Sequence, residues 1–219
     1  MFSVSVFDVQ PKEDASLDDA IREGQHFNET QRVNEFDENL ETWIFVNETS
    51  PEGYQNFRIV TDEVLDFRAR VKGELISQVV KQGIYQIYYH PQRRRLVAIC
   101  RKEDAFKAAG IFENRFPMLL AKHKFNILGI IGESSDVRGA RFNVQIETVT
   151  GVSLKGSNID GTQYYANMIE TGKLAGVVVT FDHGDRTVTF RVSVDGTLLF
   201  YSALDEYEAL DFIDILYAI

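Results

Sequence analysis

The chain has one cysteine among its 219 residues. Cys100 alone cannot build an internal disulfide framework, and a single thiol fits a reducing compartment. No apolar run approaches the ~18 residues needed to cross a membrane as a helix. The opening MFSVSVFDVQ has no basic leader region, and Asp8 interrupts its apolar character. It reads as an amphipathic strand, so the expectation is a cytoplasmic protein with no membrane association. Two Asn-Glu-Thr triplets, at Asn28 and Asn47, match the glycosylation sequon and are read as surface loops in a chain with no leader signal. There is no internal repeat and no low-complexity segment.

Catalytic patterns are equally scarce. A phosphate-cradling loop needs clustered glycines that let backbone amides approach an anion, and Gly129–Ser134 lacks both the third glycine and the Lys-Ser/Thr ending. The four histidines, His26, His90, His123 and His183, form no metal-binding pair, and Asp182-His183-Gly184-Asp185 reads as a polar turn. Cys100 follows Val97-Ala98-Ile99 and reads as a small buried side chain, and no serine sits in a GxSxG elbow. Asp136 followed by Lys155 has the order of a metal-dependent nuclease of the restriction-enzyme type, without that site's second carboxylate. No cofactor is expected.

What the chain has is charge, unevenly spread. The formal net charge is −10, yet residues 68–141 carry 15 basic and 6 acidic side chains. Residues 1–67 hold 16 acidic against 4 basic, and residues 142–219 hold 11 against 4. No carboxylate occurs between Leu75 and Lys102. Like charges concentrated in this way face water, a countercharge within the fold, or a partner.

Apolar fractions of 44% overall and 12% aromatic are those of a folded protein. Alternation marks a strand over Phe2–Asp8, and Ser16 caps a short helix ended by Gly24. His26–Glu41 reads as a polar loop or weakly packed helix, and Trp43–Val46 as a buried strand. Spacing of Val64, Arg68, Val71, Leu75 and Val79 predicts a helix from Thr61 to about Val80. Ile84–Tyr89 and Arg95–Arg101 form a hairpin about a turn at His90–Arg93, followed by a helix from Lys102. Met118–Ile131 is apolar and ambiguous. Further on come a strand over Phe142–Ile146, a helix over Asn158–Glu170, and strands 174–182, 186–194 and 198–201. His183-Gly184-Asp185 and Asp195-Gly196 supply the turns, and a helix runs from Asp205. The predicted fold is α+β in two lobes, residues 1–135 and 136–219, each a mainly antiparallel sheet with packed helices. The second lobe ends in a three-stranded meander and a terminal helix.

The candidate site is the basic hairpin, with Arg93, Arg94, Arg95, Arg101 and Lys102 as electrostatic contacts. The arginines, crowded at a turn, are expected to face solvent. Tyr85, Tyr88 and Tyr89 precede them, but alternation places these rings on both faces, so they cannot form one stacking platform. The expected function is that of a non-enzymatic accessory subunit whose partner is an acidic protein surface or nucleic acid. The alternatives are the degenerate nuclease built on Asp136 and Lys155, and a small-molecule-sensing regulatory protein.

Overall fold

A computed structural model describes residues 2–12 and 24–219. The helix expected between Ser16 and Gly24 lies outside them. Strand accounts for 57% and helix for 22% of the protein. The balanced α+β expectation is therefore corrected: the fold is mostly antiparallel sheet, with four α-helices among the described residues. Two compact units form. The hairpin unit comprises Val9–Ala98 and Asp104–Leu119, and the carboxy-terminal unit Met1–Asp8, Ile99–Glu103 and Leu120–Ile219.

Strand β1 spans Phe2–Pro11. The hairpin unit then builds β2 (Gln25–Val33), β3 (Phe36–Thr49), β4 (Gln55–Val71), β5 (Glu74–His90) and β6 (Arg95–Ile99). They pair in sequence order, each antiparallel to the next. The helix predicted over residues 61–80 is instead the far half of the β4–β5 hairpin. Lys72 and Gly73, at φ 49° and 90°, form its two-residue turn, a left-handed conformation that suits the right-handed twist of paired strands. The i+3/i+4 pattern was coincidental, because apolar side chains, mostly valine, filled both faces: Val64 pairs with Val80 and Leu65 with Val79. The polar stretch 26–41 is likewise strand, folded back at left-handed Asn34. The Asn34 side chain holds β5, accepting from the backbone amide of Gln78 and donating to its carbonyl, both at 3.0 Å.

Helix α1 (Lys102–Arg115) buries Ala105, Ala108, Ala109 and Phe112 along one stripe. Phe112 meets Phe57 of β4 edge-on at 5.0 Å, and Phe116 at 4.7 Å. Such rings bury large apolar areas in the geometry that their quadrupoles favour.

After β7 (Met118–Lys122) and α2 (Ile127–Glu133), the chain builds β8 (Asp136–Ile146) and β9 (Val149–Lys155). These are followed by α3 (Gln163–Thr171), β10 (Lys173–His183), β11 (Arg186–Ser193), β12 (Thr197–Phe200) and α4 (Glu206–Ala218). In the carboxy-terminal unit the strand order is β1-β12-β11-β10-β8-β9. One face of this sheet is aromatic. Phe212 of α4 lies 5.1 Å from Phe190, 5.8 Å from Phe200 and 6.0 Å from Phe181, and Tyr165 of α3 meets Phe142. A reciprocal cap starts α4: Asp205 accepts from the Glu208 amide at 2.8 Å, and Glu208 from the Asp205 amide at 2.9 Å. With the helices on that face, strand alternation sends every second side chain to the other.

Candidate anion-binding face

Arg93 and Arg94 are exposed on the turn between β5 and β6, where Arg94 holds a left-handed φ of 49°. Its carbonyl accepts from the Val9 amide at 2.8 Å, which fixes the turn. Arg95 does not face solvent. It is 6% exposed and donates to the phenolic oxygen of Tyr54 at 3.3 Å. His90 is buried beneath the turn and accepts the Arg93 amide at Nδ1. Burial pushes the His90 imidazole below its ordinary value of 6.5, and the Arg93 guanidinium lowers it further. Burial likewise raises the Tyr54 phenol, against the opposing pull of Arg95. Tyr85, Tyr88 and Tyr89 are all buried, so the hairpin offers no ring on which a base could stack.

Arg101 and Lys102 belong to the other unit. Arg101 is exposed, and Lys102 makes an ion pair with Asp195 in the turn between β11 and β12. Desolvation would raise the Asp195 carboxyl, but the Lys102 hydrogen bond and charge outweigh it and hold the group below its usual range. The five residues picked from the sequence thus divide into two solvent-facing arginines, one buried strut, and two cations of a separate unit.

The carboxy-terminal unit carries a larger concentration of charge that sequence reading missed. Its helix-free sheet face forms an open trough of about 570 Å3. Arg138 and Arg141 of β8, Lys155 of β9 and Arg191 of β11 line it, with Ser153 and Tyr201, and no acidic side chain does among the described residues. Register explains the convergence. Lys155, Gly139, Val178 and Arg191 are successive cross-strand partners through β9, β8, β10 and β11. Ser153, Arg141, Gly176 and Ser193 make the neighbouring row. Directly paired residues point to one face, so Gly139 and Gly176 lower the floor between the cations, and Val178 is the apolar side chain that remains in the first row. Arg138 is added by a bulge: Val178 pairs with Gly139 and Val179 with Val137, leaving Arg138 as the extra residue. Such an insertion re-aims a side chain. Gly176 is required where it stands, since a Cβ would meet the Val192 carbonyl at 2.8 Å.

Arg141, Lys155 and Arg191 make no ion pair among the described residues, while Arg138 approaches Asp136 at 3.7 Å. The whole unit holds ten Lys and Arg against fifteen Asp and Glu, so four of its ten cations share one depression that excludes all fifteen carboxylates.

The chain matches no known protein family and no curated protein sequence.

Asp136, the acid of the nuclease alternative, accepts from the Asn158 amide at 2.7 Å and the Ser157 hydroxyl at 3.2 Å. Those bonds, with Arg138, give it a role in shaping the 157–158 turn. Among the described residues no three His, Cys, Asp or Glu side chains gather as a metal site. No described helix is long and apolar enough to span a membrane.

Proposed function

We propose that the protein is a non-enzymatic binding subunit that recognises an acidic macromolecular partner, with the trough of the carboxy-terminal unit as its principal contact. The observation that carries this reading is the lining of that trough: four cations, three of them without a countercharge among the described residues, around a floor of glycine and small apolar side chains. Guanidinium groups held this way repel one another in the free protein and gain charge-assisted hydrogen bonds from an oxyanion. Among the described residues the trough also supplies hydroxyls but no carboxylate or imidazole to take a proton, which suits holding a ligand better than cleaving it. Arg93 and Arg94 are proposed as a second, smaller contact because both are exposed on a turn pinned from below by His90 and Tyr54.

The test uses fluorescence polarisation with labelled polyphosphate and polyglutamate at several salt concentrations. Arg141→Glu/Arg191→Glu is compared with Arg93→Glu/Arg94→Glu. Salt-sensitive binding that the trough variant abolishes and the turn variant merely weakens is the expected result. If neither polyanion binds at low salt, or the trough variant binds as well as the parent, the reading is wrong.

A further inference from the structure

Resting on that reading, we infer that the trough's ligand is single-stranded nucleic acid, laid across the strands of the sheet with its phosphates on Lys155, Arg138, Arg141 and Arg191 and a base against Tyr201. The cations are spread too far apart for a small anion. Lys155 on β9 and Arg191 on β11 are separated by β8 and β10, which at about 4.8 Å per strand is roughly 14 Å. Arg141 is diagonal to Lys155 on the adjacent strand and can share a phosphate with it, but one phosphate group does not span the gap to Arg191. A linear polyanion with a phosphate every ~3.4 Å along a stacked strand meets all of them in turn.

The path continues beyond Arg191. A second, smaller depression of about 190 Å3 joins Arg191 to Leu199, Ser3 and Lys102. Leu199 is the cross-strand partner of both Arg191 and Ser3. The transverse row therefore runs from β9 to β1, five strand spacings or roughly 24 Å. At the stacked rise this accommodates about seven nucleotides. The floor suits a sugar–phosphate chain: Gly139 and Gly176 keep it low, Val178 offers an apolar surface beneath a sugar, and Ser153 and Ser193 set hydroxyls beside it. Phosphate contacts of this kind position a strand without reading its sequence.

Tyr201 separates nucleic acid from an acidic peptide. It is 44% exposed on the trough wall, with its backbone amide anchored to the Thr189 carbonyl at 2.9 Å. An exposed ring beside cations is a stacking surface for an unpaired base. A peptide carboxylate gains nothing from it, and a duplex keeps its bases inside its own stack.

The experiment titrates a labelled eight-residue oligodeoxythymidylate across salt, with an equal-length duplex and polyglutamate as competitors. The parent protein is expected to bind the single strand preferentially, with a log–log salt slope of about −3 for four phosphates at ~0.7 each. In Arg141→Ser/Arg191→Ser the slope falls to about −1.4. Tyr201→Ala, at an exposed position, is expected to lose about fivefold to a hundredfold in affinity for the oligonucleotide with its salt slope unchanged, the range that loss of one stacked base gives. Gly139→Asp, whose Cβ meets only ordinary contacts at 3.4 Å, puts a carboxylate into the floor and is expected to abolish binding without altering thermal unfolding. Polyglutamate binding as tightly as the single strand, or a Tyr201→Ala variant of unchanged affinity, overturns the nucleic-acid inference and leaves the acidic-partner reading standing. Binding of neither ligand overturns both.

Discussion

Arg95 looks in sequence like the third member of an exposed triplet, yet its removal is expected to affect folding, not binding. Its guanidinium is buried and donates to a Tyr54 hydroxyl that is itself inaccessible to water. A hydrogen bond involving a charged group contributes about 1.5–3 kcal/mol, and truncating one partner also leaves the other's buried polar atom unpaired. Loss of the Arg95 stem adds a packing defect. Arg95→Ala is therefore expected to cost about 2–4 kcal/mol, whereas Arg94→Ala, exposed on the same turn, stays within about 0.5 kcal/mol. Urea unfolding of both variants measures the difference, with an unchanged m-value as the sign that only stability moved. Tyr54→Phe closes a double-mutant cycle, and a coupling of about 1–2 kcal/mol to Arg95 is expected for two residues in contact. Equal stabilities for Arg95→Ala and Arg94→Ala would refute the assignment of Arg95 as a strut.

His90 gives the hairpin unit a pH dependence of known sign. Because its imidazole titrates below 6.5 when folded, the unfolded chain binds more protons as pH falls past that value. Stability is therefore full above about pH 6.5 and declines as pH drops towards the depressed folded value. Thermal melts between pH 7.5 and 5 are expected to show a decline that His90→Asn reduces. In the carboxy-terminal unit, Phe212→Ala removes the ring shared by Phe181, Phe190 and Phe200. Chemical denaturation is expected to register a loss of about 3–5 kcal/mol; a loss under 1 kcal/mol would mean that α4 is not packed as described.

Much of the carboxy-terminal unit was legible because its signals are local. Asp195-Gly196 and His183-Gly184-Asp185 are short-range turn chemistry, and Gly184 and Gly196 do adopt positive φ. Asp205 with Glu208 announces a helix start within four residues. The hairpin about His90–Arg95 and the helix from Lys102 were read for similar reasons. The β4–β5 hairpin failed because Lys72-Gly73 is an uncommon turn pair and apolar residues on both faces imitate helical spacing. The 26–41 stretch failed because a strand whose side chains mostly meet water shows no apolar alternation.

The site was harder to read for a different reason. Arg138 and Arg191 are 53 positions apart in sequence, and β8, β9, β10 and β11 bring them together only through register. Alternation did place Arg191 opposite Phe190 and Val192, and Arg141 opposite Phe142, so each was recognisable as facing away from the core. Nothing in the chain announced that both would share one face, or that a bulge would turn Arg138 to join them. Clustering in sequence pointed to Arg93–Arg95, where one of the three proved to be internal.

Backbone amide NMR of the protein titrated with a short single-stranded oligonucleotide tests the central claim most directly. Shift changes confined to residues 138–141, 153–156, 176–178, 191–193, 199–201 and Ser3 would place the ligand in the trough and its continuation, as expected. Changes clustered at Arg93 and Arg94, or no changes at low salt, would contradict it.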